Sequence, residues 1–212
     1  MRFYRDRVYP RLVSLLGDPK PIREIRRRLI PLAQGNVLEL GVGPGANFPH
    51  YDPARVSKLY ALEPNQRMVR LADRQWRPAE LDVEFLTLPG EDIPLEDGSV
   101  DTVVSTFTLC TVADPSAVVR SIRRALKPEG KFIFFELGLS ADHRVRRWQA
   151  FWAPVHRLAF EGLHMTRDIP ALITQGGFAL EGMENGYLAQ FPKSWTHYCA
   201  GTAIRGGIEP AS

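Results

Sequence analysis

The most constraining feature of this chain is a glycine turn at the end of a short apolar strand. Val37-Leu38-Glu39-Leu40 runs into Gly41-Val42-Gly43-Pro44-Gly45-Ala46-Asn47, and a helix is expected after it. Glycines at alternate positions let the backbone turn tightly and bring N–H groups against a ligand with no side chain in the way. Such a turn belongs to a sheet, and the chain supplies partner strands. Lys58 to Leu62 reads as a second strand, followed by a helix from Asn65 to about Gln75. Val83 to Leu86 is a third strand and Ser99 to Ser105 a fourth. Asp114-Pro115 opens a helix, with an acceptor side chain at the cap and proline at the first helical position. It runs to Leu126 and stops at the turn Lys127-Pro128-Glu129-Gly130. Lys131 to Phe135 is a fifth strand, apolar on both faces. Strands alternating with helices predict an α/β domain whose parallel sheet is covered on both sides. Phe178 to Met183 and Thr196 to Ile204 read as two strands with no helix between them, pairing antiparallel at one edge.

Composition narrows the class. The 212 residues are 44% hydrophobic and 24% charged, which suits one globular domain and argues against disorder. The net charge of +3 is uneven: residues 1–30 hold nine Arg or Lys against Asp6, Asp18 and Glu24, leaving −3 for the rest. A chain basic only at one end is not expected to bind nucleic acid. Cys110 and Cys199 are the only cysteines and are far apart, so neither a disulfide framework nor a metal site is expected. No apolar run approaches the roughly eighteen residues of a membrane span. Met1-Arg2-Phe3-Tyr4-Arg5-Asp6 lacks a signal peptide's apolar core, so the expected location is the cytoplasm.

The acids around the glycine turn indicate its ligand. Glu63 ends the second strand, where a carboxylate can accept hydrogen bonds from both hydroxyls of a ribose. Turn and acid together imply an adenosine-containing cofactor at the carboxyl ends of the strands. Gly41, Gly43 and Ala46 also fit G-x-G-x-x-G/A, so spacing alone leaves a dinucleotide open. Against it, Glu39 suits a cationic amino acid moiety better than a pyrophosphate. Pro44 and Gly45 make the loop G-x-G-x-G, and the terminal strand pair leaves no second nucleotide half. No Lys-Ser/Thr follows the glycines, which excludes a Walker loop.

Glu39-x-Gly41-x-Gly43-x-Gly45, Glu63, Leu95-Glu96-Asp97-Gly98-Ser99-Val100-Asp101 and Leu126-Lys127-Pro128-Glu129-Gly130-Lys131 resemble the class I S-adenosylmethionine-dependent methyltransferases. The resemblance covers residues 36 to about 204. It implies a doubly wound, Rossmann-like sheet of seven mostly parallel strands with an antiparallel last strand, behind an N-terminal helical cap. Gly41 and Gly43 would lie against the methionine part of S-adenosylmethionine, Glu39 at its amino acid end and Glu63 on the ribose. Asn65 and Met68 would flank the ribose and adenine. Pro89 occupies the usual place of an adenine-reading acid, so Gly90 and Glu91 are expected to substitute. Gly45, Asn47, Pro64, Ser105 and Thr106 complete the implied cofactor-binding set, and S-adenosylhomocysteine is the implied product.

A narrower resemblance is to small thiol S-methyltransferases of the methyltransferase-like group. It rests on Gly45-Ala46-Asn47-Phe48, Glu63-Pro64-Asn65, Gly90-Glu91, Ser105 to Val112, Trp148-x-x-x-Trp152-x-Pro154-x-His156 and Thr166-Arg167. That group's animal members carry an apolar N-terminal membrane anchor, where this chain has a basic amphipathic start. The implied acceptor is a small thiol or sulfide. Phosphatidylethanolamine and quinone-precursor methyltransferases working at a membrane share the broader motifs and remain the alternative; a cofactor-binding module without catalysis is a third reading. Ser105 to Thr111 is not the Asn/Asp-Pro-Pro-Tyr/Phe loop of base methylases. A thiol with a pKa of about 8.5 supplies its own thiolate, so an obligatory base is not required. If one is used, His156 and His164 are the candidates. Trp148, Phe151, Trp152, Val155, Leu158, Ala159 and Phe160 form an apolar stripe, either packed on the sheet or walling the acceptor pocket. Cys110 reads as a small buried hydrophobe, and Glu136 as facing the site or solvated.

Residues 1–33 read as the helical cap on a domain spanning 34–212. Phe3, Tyr4, Val8, Leu12, Leu15 and Leu16 recur at helical steps among Arg2, Arg5, Arg7 and Arg11. Asp18-Pro19-Lys20-Pro21 is a hinge, and Ile22 to Leu32 a second, basic helix. The segment is a plain cap, a peripheral contact with an anionic membrane, or a gate. As a gate it is expected over the acceptor pocket rather than in the cofactor site.

Overall fold

The computed structural model describes residues 18–160, 162–189 and 191–206, so the expectations for residues 1–17 lie outside the described residues. The strands are β1 (Gly35–Leu40), β2 (Val56–Leu62), β3 (Val83–Leu86), β4 (Val100–Thr106), β5 (Leu126–Leu137), β6 (Phe178–Tyr187) and β7 (His197–Arg205). They form one seven-stranded sheet in the order β3-β2-β1-β4-β5-β7-β6. β1 to β5 pair in parallel, and β7 runs antiparallel to both β5 and β6. The chain leaves β1 for β2 on one side and reaches β4 on the other. That reversal opens a crevice outside the carboxyl ends of β1 and β4, where open α/β sheets bind ligands.

Helices cover both faces, and the strands are apolar on both sides for that reason. The helices are α1 (Lys20–Leu29), α2 (Gln66–Asp73), α3 (Pro115–Ala125), α4 (His143–Ala159), α5 (Ile169–Gln175) and the single turn α6 (Lys193–Thr196). On one face Leu38, Leu40, Val103 and Phe134 pack against Val118, Val119 and Ile122 of α3 and Ile169 and Ile173 of α5. On the other, Val37, Leu59, Ala61, Val104 and Ile133 pack against Ile30, Ala33, Phe48, Tyr51 and Ala72. The caps are the side chains expected of them: Asp114 accepts from Ala117 N–H, Asn65 from Arg67 N–H and Asp168 from Ala171 N–H.

Four local features depart from the sequence reading. No α-helix follows the glycine turn: residues 48–50 form one 3-10 turn instead. Gly41, Gly43 and Gly45 all have positive φ, and Pro49 lacks the N–H a helix would use. Lys127-Pro128-Glu129-Gly130 lies inside β5 as an irregular bulge, because Val100 pairs with Leu126 while Thr102 pairs with Lys131. Lys127 is held there by Asp101, Nζ to Oδ1 2.6 Å. The short helix α6 interrupts the β6–β7 connection, and α5 was not anticipated.

Candidate active site

The glycine turn closes on itself through Glu63. Gly43 N–H donates to Glu63 Oε2 at 3.0 Å and Asn65 N–H donates to Glu63 Oε1 at 2.8 Å. The acid at the end of β2 therefore fixes both the turn and the start of α2. Gly41 (φ +61°) passes so close to Thr108 that a Cβ would fall 2.3 Å from its Oγ1. Gly45 (φ +82°) is packed under Phe48 and Ala72. Gly43 (φ +57°) differs: a Cβ there would meet nothing nearer than Gly41 O at 3.9 Å. The middle of the turn thus presents bare backbone to open space, as a ligand cradle requires.

Beneath the turn, Glu39 ends β1 as a buried carboxylate. Its Oε1 accepts from Asn47 Nδ2 at 2.9 Å and its Oε2 from the Tyr51 hydroxyl at 2.8 Å. Asn47 Nδ2 also donates to Thr106 Oγ1 at 3.0 Å, tying β1 to the end of β4. Arg26 of α1 donates from Nη1 to Asn47 Oδ1. The Arg26 guanidinium is buried, lies 3.4 Å from Asp18 Oδ1 and sits 5.7 Å from the Phe107 ring centre. Burial pushes the Glu39 carboxyl up to about 7, against the pull of Tyr51, Asn47 and Arg26. The protonated acid is thus favoured by folding. Its stabilising contribution is complete below the ordinary carboxyl pKa of 4.5 and is lost as pH rises through about 7. Glu39→Gln should remove a stability loss of up to about 3 kcal/mol over that window. Denaturant unfolding of both proteins from pH 4.5 to 7.5 measures it, and parallel curves would show that Glu39 does not titrate there.

The end of β4 is built around a second buried acid. Glu136 Oε1 accepts from Ser105 Oγ (2.7 Å), Thr108 N–H (3.0 Å) and Leu109 N–H (3.1 Å), and Oε2 from Cys110 N–H (3.2 Å). It is fully buried, neither solvated nor free to act on a substrate. Burial of Cys110 beside Glu136 drives its thiol well above the ordinary range, which makes it an inert wall. Between these groups Phe107 holds φ +56°, the only non-glycine positive φ among the described residues. A strained, half-buried residue at the crevice is a mark of a working surface. The Phe107 ring packs tilted by 52° against Phe135, with ring centres 4.5 Å apart.

The other anticipated residues are placed as follows. Pro64 is exposed, and the Asn65 side chain caps α2. Met68 is buried on α2. A Cβ on Gly90 would lie 3.9 Å from Leu40, so the turn at 89–92 does pass beside the end of β1. Glu91 turns toward α3: its carbonyl accepts from Ser121 Oγ and its carboxylate from Asp114 N–H. His164 lies beside the β4 end, where its N–H donates to Cys110 O at 2.8 Å. Burial, with Arg167 and Arg157 nearby, lowers its pKa. His156 is elsewhere. It is buried on α4 with neither ring nitrogen hydrogen-bonded, edge-on to Trp195 at 5.0 Å and near Phe160. Burial alone depresses its pKa. In this packing its ring serves as an aromatic spacer with no hydrogen-bond partner among the described residues. His156→Phe keeps the ring contacts and removes two unsatisfied nitrogens, so it should unfold at equal or higher denaturant, gaining about 1 kcal/mol. Turnover should stay within a few-fold; a hundredfold loss in the folded variant would restore His156 as a base.

Arg26, Tyr51, Phe107 and Glu136 as a structural acid were missed. α1 contributes Arg26 to the Glu39 cluster, so the described part of the N-terminal segment reaches the glycine turn rather than standing apart from it. Of the aromatic stripe, Trp148, Phe151, Val155 and Leu158 are exposed rather than packed on the sheet.

Comparison with known proteins places this geometry. The family described as Methyltransferase domain matches residues 38–134, from β1 into β5. Human thiol S-methyltransferase TMT1B is 35% identical over 175 residues, covering 76% of this chain and 70% of the relative. Human thiol S-methyltransferase TMT1A is 30% identical over 175 residues, covering 78% of this chain and 67% of the relative. An S-adenosylmethionine-dependent methyltransferase structure from Mesorhizobium loti superposes with a TM-score of 0.64 at 17% identity, over 89% of this chain and 99% of that one. The last is a likeness of fold.

Proposed function

The chain belongs to the class I S-adenosylmethionine-dependent methyltransferases, in the family that includes TMT1A and TMT1B, and from that premise we propose that it methylates a small thiol on sulfur without a side-chain base. The observation that carries this is the occupancy of the polar groups at the end of β4. Ser105 donates to Glu136, Thr106 accepts from Asn47, Thr108 Oγ1 donates to Leu40 O, and the Cys110 thiol is buried beside an acid. A surface of committed hydroxyls and apolar side chains suits a nucleophile that carries its own anion. A thiol does so at neutral pH, whereas an alcohol or carbon acid does not. The thiol S-methyltransferase relatives support the same acceptor class.

The cofactor fits the residues present. A buried carboxylate held near neutrality is short of a cation, and the open face of Gly43 leaves backbone for a ligand to lie on. Glu39, with Asn47 and Tyr51 orienting it, would hold the amino end of S-adenosylmethionine, and Arg26 the carboxylate end. Glu63 would hold the ribose, with Gly90 and Met68 beside the adenine. When bound, the group supplies a methyl on a sulfonium centre. The chain's own contribution is alignment and exclusion of water: Phe107 and Phe135 make the apolar floor, and alignment of this kind is worth roughly 7–11 kcal/mol.

Two outcomes follow for binding alone. A cation beside Glu39 favours its ionised form, so S-adenosylhomocysteine should bind more tightly as pH rises to about 7 and level off above. Glu39→Gln should flatten that profile in calorimetry; an unchanged slope would remove Glu39 from the amino end. Arg26→Met should weaken S-adenosylhomocysteine about tenfold, the scale of one charge-assisted contact, and should also lower stability because Asp18 and Asn47 lose their buried partner. The acceptor is tested by cofactor consumption across a panel of thiols, amines and phenols. Thiols alone should turn over; activity confined to amines or phenols would overturn the acceptor assignment.

A further inference from the structure

Ten large hydrophobic side chains are exposed among the described residues, and five of them sit on or against α4: Trp148, Phe151, Val155 and Leu158 on the helix, and Trp195, whose ring lies 6.0 Å from Trp152 and 5.0 Å from His156. α4 buries the stripe Val145, Gln149 and His156. The exposed residues recur at steps of three and four, roughly a third of the way around the helix from that stripe. They therefore form a second apolar row, with Phe151 and Leu158 67% and 69% exposed. Arg144, Arg146, Arg147 and Arg157 on the same helix are exposed, and no Asp or Glu occurs from residue 143 to 160. No ion pair among the described residues uses Arg144, Arg147 or Arg157.

We propose that α4 is an interfacial helix that seats the protein on an anionic lipid surface, its aromatic row in the acyl boundary and its arginines on the phosphates. An apolar row of Trp, Phe and Leu bordered by arginine is the composition such helices share. Charge complementarity selects the occupant: a second copy would bring one acid-free basic helix against another, whereas anionic headgroups neutralise it. The helix lies on the membrane, since no helix of the described residues is long and apolar enough to cross one. The surface stands at the crevice end of the sheet. α4 follows the carboxyl end of β5, and the segment after it returns to β4 through the His164 N–H to Cys110 O hydrogen bond.

The test is sedimentation of the full chain with vesicles of phosphatidylcholine alone or with phosphatidylglycerol, at low and high salt. Binding should favour the anionic vesicles and weaken with salt. Phe151→Ser/Leu158→Ser and, separately, Arg147→Gln/Arg157→Gln should each lower it roughly tenfold or more. Both pairs are exposed, so unfolding midpoints and S-adenosylhomocysteine affinity should not move. Equal binding to neutral and anionic vesicles, or none, overturns the proposal. So does binding that survives both double variants but is lost on deletion of residues 1–16. Light scattering that shows a dimer abolished by Phe151→Ser/Leu158→Ser, with vesicle binding unchanged, reassigns the row to a second copy.

Discussion

Gly41→Ala should destabilise the protein by about 2–4 kcal/mol and abolish cofactor binding in whatever remains folded. Two costs combine. The residue has φ +61°, a region that charges any L side chain for its Cβ. The new methyl would also fall 2.3 Å from Thr108 Oγ1 and 2.9 Å from Thr108 Cγ2. Thr108 cannot simply turn away, because its Oγ1 donates to Leu40 O at 2.8 Å and its N–H to Glu136. Gly43→Ala is the control. Its φ is +57°, yet its Cβ would face open space, so only the strain of roughly 1–2 kcal/mol applies. That variant should stay folded and still bind S-adenosylhomocysteine poorly, because the methyl would stand in the open space proposed for the ligand. Denaturant unfolding and calorimetry separate the two. Equal destabilisation by both would show that the Gly41–Thr108 contact is not what the turn depends on.

Glu63→Ala should weaken S-adenosylhomocysteine roughly ten- to a hundredfold, the equivalent of about 1.5–3 kcal/mol for hydrogen bonds to a charged group. The effect has two sources. The carboxylate is the proposed ribose acceptor, and it also holds the Gly43 and Asn65 N–H groups that shape the turn and the start of α2. Glu63→Gln should fall between, since one of its two terminal atoms becomes a donor facing an N–H. Unchanged affinity in a folded Glu63→Ala protein would take Glu63 out of the site.

The parts legible in the sequence were those with a local signal. β1, β3 and α3 are apolar runs bounded by Gly, Pro or a capping Asp, and they stand where the pattern put them. The glycine turn was legible because alternate glycines have few other uses. What the chain hid was long-range. Arg26 and Asn47 are 21 residues apart, and nothing around Arg26 distinguishes it from the exposed Arg27 and Arg28 beside it. Tyr51 reads as one aromatic among several until it is seen to donate to Glu39. Glu136 ends an apolar strand, where an acid is ordinarily solvated; only the fold brings three backbone N–H groups and the Ser105 hydroxyl to it. α4 shows the limit of periodicity. Its aromatic spacing announces a stripe, but the stripe turned inward is Val145, Gln149 and His156, and the aromatics face out.

The acceptor chemistry is tested most directly by a pH–rate profile with two thiols of different acidity, the cofactor saturating. If the acceptor supplies its own thiolate, kcat/KM should rise about tenfold per pH unit and level off at each thiol's own pKa. The break should then move with the acceptor and persist in His164→Ala. A break that stays near pH 6–7 for both thiols, and disappears with His164→Ala, would contradict the base-free reading and assign the proton to the protein.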